Sequence, residues 1–494
     1  YGVDIDDDTL NGFETVEDVV GFVEDYLNGT NPGVDYIDEI FRTGLVQNYK
    51  LVFSKGTDDL QTYVSGNYMQ QEGTIEKSSY ERYATKANIK ARMTDWLDLT
   101  LDFNASRSIG KGIGGLELSG ANPLWVAFNY SPSMELMDAE GNYNYDPYSS
   151  IQNNPLGVVL DNQQERRRDV VSGHVDLRFQ IMDGLTFTTS NGIDYYNNTS
   201  YGFSPLKINS NGNNSMSNNN QQRVLLQSSN HLTATAVWEA TTSNTRSMGI
   251  SGQNIQVESV GWWNVANALT RNASNGYSDW SMLSAVGRAI YNYDNRYMFT
   301  GTFRADGSSR FTNHKWGYFP SVAFAWTASN EKFMDNLRHT ISNLKLRVSY
   351  GVIGNQDIAP YSTLALMSQT TTYFGSDTGV TGYWANTLAT PDIKWEKTNQ
   401  FDLGLDLGLW DNRLTLSLDY FDKRTTDALL STSLPNYLGG TSYLINAGEV
   451  SNKGIDFAIS ADVFSTDDFD WTTSMNGTYL KNKVVKLTAQ EPRL

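Results

Sequence analysis

"RYMFTGTFRADGSSRFTNHKWGYFPSVAFAWTASNEKF" occupies residues 296–333. Two strand-like runs flank a polar turn, "DGSSRFTNHK". In the first run Tyr297, Phe299, Gly301, Phe303 and Ala305 alternate with Met298, Thr300, Thr302, Arg304 and Asp306. In the second, Trp316, Tyr318, Val322, Phe324 and Trp326 alternate with smaller or more polar residues. Successive side chains of a strand point to opposite faces. The stretch is therefore a hairpin with a wall of aromatics on one side and Arg304 and Asp306 on the other. Such a wall needs an apolar layer against it. Helices do not supply one. Residues 14–29, "ETVEDVVGFVEDYLNG", read as an acidic amphipathic helix ending at Gly29, and 329–338 as a short connecting helix. Neither could cover the strands that follow.

Period-two alternation recurs almost from end to end. Strands are expected near 47–56, 60–71, 80–93, 97–108, 168–181, 185–200, 222–238 and 245–257. Others are expected near 280–293, 296–306, 316–328, 344–354, 395–409, 413–423, 447–464 and 469–482. That is roughly sixteen strands by the alternation and turn criteria. Late in the chain Leu344, Leu346, Val348, Tyr350 and Val352 oppose Lys345, Arg347, Ser349 and Gly351. Phe401, Leu403, Leu405, Leu407 and Leu409 oppose Gln400, Asp402, Gly404, Asp406 and Gly408.

The connections are lopsided. Tight links such as "DG" at 183–184 and "DN" at 294–295 and 411–412 alternate with long ones near 109–167, 201–221, 258–279, 355–394 and 424–446. Short turns on the periplasmic side and long loops outside are the pattern of a transmembrane barrel. The layer missing from the hairpin is then lipid. Pro320 cannot donate to a ladder, so its neighbour should lie near the strand's outer end or at a bulge. Loop parity makes residues 1–46 an extracellular loop segment, 47–482 the barrel strands and loops, and 483–494 the start of a further extracellular loop. An open edge cannot stand in lipid, so more chain is expected on both sides.

Composition agrees. The 494 residues contain no cysteine, which excludes disulfides and thiolate chemistry. A net charge of -18 excludes a nucleic-acid groove. No run approaches the roughly twenty apolar residues of a membrane helix, but that test is blind to barrels.

"FRADGSSRF", "WGYFPSVAFAWTASNEKFM" and "ISNLKLRVSYGVIGNQ" resemble the barrel of the SusC/RagA family of TonB-dependent outer-membrane transporters of Bacteroidota. So do "DEIFRTGLVQNYKLVFSKGTDDLQTYVSGNYMQQEG" at 38–73, "NKGIDFAI" at 452–459 and "NGTYLKNKVVKL" at 476–487. The motifs occur in the family's order from Asp38 to Leu487. The resemblance implies an all-β fold, a transmembrane antiparallel β-barrel with about 16 of about 22 strands present. It also implies a plug domain, which this sequence lacks, TonB acting through that missing region, and a SusD-like surface lipoprotein as lid. The implied role is TonB-dependent import of oligosaccharides, or of oligopeptides, through the bacterial outer membrane. The rival readings are a passive porin and a structural barrel subunit of a larger surface assembly.

No catalytic chemistry emerges. "GKGIGG" at Gly110–Gly115 lacks the helix that a dinucleotide site needs after it. His174, His231, His314 and His339 do not pair at metal-ligand spacing. Asp4, Asp6 and Asp8 occupy the first ligand positions of a calcium loop, but Thr9 and Thr15 break the pattern. At most they form a loose surface calcium site. Lys86, Lys90, Arg92, Asp98, Asp102, Arg288, Arg304, Lys345, Arg347, Asp402 and Asp406 are expected to face the lumen, because Arg or Lys facing mid-bilayer lipid costs about 2–4 kcal/mol. There they line a hydrated wall, or touch plug or solute. Trp125, Trp262, Trp263, Tyr373, Phe374, Tyr383 and Trp384 are expected on external loops. Exposed aromatics there can contact a glycan or the lid.

Overall fold

A computed structural model describes residues 20, 33–112, 122–132, 134–145, 153–208, 212–233, 236–373, 379–434, 442–466 and 468–487. The expected helix at 14–29, apart from Val20, lies outside the described residues. So do Asp4, Asp6, Asp8, Phe374 and the second half of Gly110–Gly115, residues 113–115.

Sixteen strands join in one antiparallel sheet, each beside its neighbour in sequence. They are β1 (Val46–Gly56), β2 (Leu60–Glu72), β3 (Ser79–Thr94), β4 (Leu97–Lys111), β5 (Gln163–Met182), β6 (Leu185–Ser204), β7 (Ser215–Leu232) and β8 (Ala236–Ile255). Then come β9 (Ala268–Tyr293), β10 (Tyr297–Ser308), β11 (Trp316–Thr327), β12 (Ile341–Asn355), β15 (Glu396–Leu409), β16 (Leu414–Thr426), β19 (Glu449–Ser465) and β20 (Asp470–Lys486). Two hairpins stand apart in the long loops: β13 (Met367–Thr372) with β14 (Val380–Ala385), and β17 (Leu429–Ser433) with β18 (Ser442–Asn446). Each of the sixteen strands has at least the nine to eleven residues that a tilted crossing needs. β9 alone has 26 residues.

Every expected strand is present, but several boundaries move. The run 222–238 crosses a turn. β7 ends at Leu232, Thr233 adopts φ 22°, and β8 begins at Ala236. The long connections also shrink, because β7 and β9 start at Ser215 and Ala268 rather than at 222 and 280. Polar runs such as "SMSNNNQQR" carry no apolar alternation, so sequence reads them as loop. Backbone pairing continues through them regardless.

The tight turns show their chemistry. Asp294 and Asn295 both have positive φ, 53° and 51°, as a two-residue hairpin turn requires. Ladder irregularities at Arg92/Thr94, Gln180/Met182 and Asp462/Phe464 sit beside short turns, where bulges increase strand twist. The return from β11 to β12 consists of two short 3-10 turns, Ala328–Asn330 and Lys332–Leu337. Glu331 fastens it. Its carboxylate accepts from Tyr297 Oη at 2.6 Å and Trp326 Nε1 at 3.2 Å, and Arg296 approaches to 3.4 Å. The tyrosine hydrogen bond, then the indole, hold this carboxyl below its usual range.

The opening hairpin has the expected two faces. Tyr297, Phe299, Phe303, Trp316, Tyr318, Val322 and Phe324 are exposed on one side. Phe303 stacks on Tyr318 with ring centroids 6.1 Å apart. Pro320 pairs with Phe303 on the β10 side, but the β11–β12 ladder reaches only Ser321. The proline thus marks where β12 splays away. Phe319 folds over the gap. A Cβ on Gly317 or Gly354 would fall inside its ring, so the two glycines make the close approach feasible. Val352, expected on the apolar face, instead packs against the buried cluster around Phe319, while Ile353 is exposed. The alternation fails where the ladder opens.

The long-loop end carries its own small cores. Helices α1 (Tyr36–Ile40), α2 (Pro123–Asn129) and α3 (Pro155–Leu160) start on Asp35, Asn122 and Asn154, whose side chains accept from the first free amides. Tyr36, Ile40, Ala127, Tyr130 and Val159 meet in one cluster. Phe311, Phe319, Ile358, Ile393 and Trp395 form a second, and Phe203, Met216, Ile255 and Ala268 a third.

Candidate functional site

Residues directly opposite in an antiparallel pair share a face. The register can therefore be followed around the wall. Arg92 faces Asp98, Asp98 faces Arg178, Arg178 faces Thr188, and Thr188 faces His231. The row continues through Val237 and Val286 to Arg304. On the far strands Arg347 faces Gly404, which faces Asp419, which faces Asp456. All eleven polar residues named from the sequence fall on this one face, opposite the aromatic one.

The structure gathers five of the eleven into three groups. Arg304 donates through Nε to Asp306 at 2.7 and 2.9 Å, and through Nη2 to Glu239 at 2.8 Å and Ser284 Oγ at 3.0 Å. Asp306 is only 6% exposed. Arg347 forms a two-pronged bond with Asp406, at 2.8 and 2.9 Å, and reaches Asp419 at 3.0 Å. Ser417 donates to Asp406 at 2.9 Å, and Lys345 stands directly opposite that aspartate in the ladder. Gly404 makes room for this group, since a Cβ there would lie 2.7 Å from Arg347 Cζ and would overlap an Asp419 oxygen. Asp402 accepts from Gln400 Nε2 at 2.9 Å and Ser349 Oγ at 3.2 Å. Between the Arg304 and Asp402 groups lies an open cavity of about 510 Å³, lined by Arg304, Asp306, Phe319, Ser321, Gln400 and Asp402.

The others stay separate. Arg92 pairs with Asp59 at 3.1 Å, and Asp102 accepts from Asn88. Asp98 stands opposite Arg92 and Arg178, Arg288 opposite Thr302, Lys86 opposite Asn104, and Lys90 opposite Thr100. Glu239, Ser284, Ser417 and Asp419 complete the groups but were missed from sequence. Glu239 fell in the gap left by the misread turn. Ser417 and Asp419 were legible, because they alternate with Leu416, Leu418 and Tyr420. No group of three or more metal-capable side chains occurs among the described residues.

The loop aromatics divide. Trp263 is 69% exposed, and Tyr373, Tyr383 and Trp384 are also open. Trp125 and Trp262 are not. Trp125 is half-buried on α2, and Trp262 packs on the third core and stacks on Tyr201 at 5.7 Å. Within the β13–β14 hairpin Tyr383 and Trp384 are adjacent, so they point to opposite faces and cannot form one stacking platform.

A family model described as "TonB dependent receptor-like, beta-barrel" matches residues 4–491. TonB-dependent receptor P3 of Formosa agariphila is 33% identical over 490 residues, covering 94% of this chain and 48% of that protein. TonB-dependent receptor SusC of Bacteroides thetaiotaomicron is 28% identical over 489 residues, covering 92% of this chain and 48% of that protein. The chain thus spans about half the length of these curated relatives. Among solved structures, the RagAB peptide importer in its closed-closed state superposes with a TM-score of 0.78 at 21% identity. It covers 92% of this chain and 52% of that one, and shares the fold.

Proposed function

This chain belongs to the TonB-dependent receptor-like β-barrel family, and from that membership we propose that it forms the wall of an outer-membrane nutrient importer. Its polar face lines the lumen and its aromatic face meets lipid. Long loops lie outside the cell and short turns in the periplasm. The cargo is an oligosaccharide ahead of an oligopeptide, captured under a SusD-like lipoprotein and released by TonB acting on the remainder of the protein.

The observation that carries this reading is the two-faced wall. One face gathers Arg304, Arg347 and their carboxylates, which lipid would not tolerate. The other exposes Tyr297, Phe303, Trp316 and Tyr318, which water would not favour. Exposed Tyr383 and Trp263 at the long-loop end supply aromatic surface of the kind that stacks on sugar rings. The peptide alternative draws on the RagAB peptide importer, whose fold this wall shares.

Deletion of the gene tests the reading. Uptake of labelled oligosaccharide by intact cells should fall to background, as should uptake in wild-type cells treated with a protonophore. Protonophore-insensitive uptake would indicate a passive porin. Undiminished uptake in the deletion strain, with a surface assembly disrupted, would indicate a structural subunit.

A further inference from the structure

Above the ion-paired groups, toward the long-loop end, the same polar face changes character. Arg166 on β5 stands opposite Gly110 and Ser200. One step down, Arg82 and Arg168 flank Ser108 across three strands. The next row holds Lys50 opposite Asn67, and Tyr196 opposite Arg223. The row below holds Lys86 opposite Asn104. All six cations are exposed. Across β1–β8 these four rows contain a single carboxylate, Asp194, opposite Ser172 and Leu225.

Among the described residues none of the six cations makes an ion pair. The contrast with the outward face of the same strands is direct. There Arg107 pairs with Asp169 at 2.6 Å, and Arg167 pairs with Glu165. The nearby carboxylates serve the outward guanidiniums and leave the inward ones open. Two of the inward ones are held in place. Arg168 and Arg223 lie over the Tyr196 ring, 4.8 and 5.8 Å from its centroid. Stacking fixes a guanidinium while leaving its in-plane N–H fork free for a carboxylate or sulfate. The six cations stand on alternate strands, roughly 10 Å from one to the next, a spacing that a chain bearing several anionic groups can bridge.

We infer that this patch, centred on Arg168, Tyr196 and Arg223, binds anionic groups carried by the cargo: the carboxylates or sulfates of an acidic oligosaccharide. The inference rests on the import reading and narrows its substrate class. Ser108, Asn198 and Gln221 lie in the row of Arg168 and offer hydroxyls and amides for the sugar itself.

The test uses the full-length protein in detergent, with trigalacturonate and a sulfated disaccharide as anionic probes and galactotriose as the neutral one. Calorimetry should show at least one anionic probe binding more tightly than galactotriose, with affinity falling as salt rises. The double variant Arg168→Gln/Arg223→Gln should weaken that probe about tenfold or more and leave galactotriose unchanged. The heat-modifiable gel shift of a folded barrel should persist in the variant. Equal affinity for charged and neutral sugars, no binding of either anionic probe, or an unaffected double variant would each overturn the proposal. So would a variant that leaves probe binding intact but makes the rest of the full-length chain protease-sensitive, since its own carboxylates would then be the tenants. Failure of the import reading shows elsewhere, as undiminished uptake in the deletion strain.

Discussion

Arg347 shows what one residue can organise. Its guanidinium holds Asp406 on one neighbouring strand and Asp419 on the next, and Gly404 between them leaves the space. Arg347 and Asp406 were legible from alternation alone, whereas their meeting with Asp419 depends on which strands are neighbours. Removing the arginine would leave two carboxylates near one another with only Lys345, opposite Asp406, as counter-charge. The groups are about one-third exposed, so solvent screens part of the effect. Arg347→Ala should cost about 1–3 kcal/mol in urea unfolding of the detergent-solubilised barrel. Arg347→Lys should recover only part, because an ammonium cannot form the two-pronged contact. Gly404→Ala should cost a similar amount through the Asp419 overlap. Combined with Arg347→Ala, it should add little, as coupled neighbours do. A lysine variant as stable as the parent, or fully additive losses, would show that the cluster is not a unit.

At the scale of the element, the β10–β11 hairpin was almost wholly readable. Its aromatic alternation predicted both faces, and Pro320 predicted where pairing would weaken. The covering of the resulting gap was not readable. Phe311, Phe319, Ile358, Ile393 and Trp395 come from segments far apart in sequence, and no periodicity links them. The same holds for α1, α2 and α3, each too short to declare a helical face. Sequence patterns report local repeats, whereas these loop cores are built from non-local contacts. Gly354 exposes the difference experimentally. Gly354→Ala places a methyl group inside the Phe319 ring and should open the loop core without unpairing the wall. Limited proteolysis should then cleave within 356–395 at least several-fold faster, while the heat-modifiable gel shift stays unchanged. Loss of the gel shift would mean that the loop core supports the barrel itself, and unchanged cleavage would mean that the ring simply moves aside.

The whole molecule is an amphiphile wound into a wall, and its two faces should report different solvents. The strand pattern made that legible, since strict alternation fixes opposite faces whatever the loops do. Trp280 and Trp316 offer a matched comparison. Trp316 stands opposite Gly307, which stands opposite Leu283, so it sits within a few residues of the height of Trp280. Trp316 belongs to the aromatic face and is 49% exposed. Trp280 belongs to the polar face, with the Arg310 guanidinium 4.7 Å from its ring centroid. In vesicles of brominated lipid, only rings that touch acyl chains are quenched efficiently. The protein has 12 tryptophans, so each single variant removes a modest part of the signal. Trp316→Phe should remove emission that bromolipid quenches, lowering the quenched fraction of what remains. Trp280→Phe should remove emission that bromolipid spares, raising it. Shifts in the same direction would mean that both rings meet the same surroundings, and would contradict the assignment of one face to lipid and the other to the lumen.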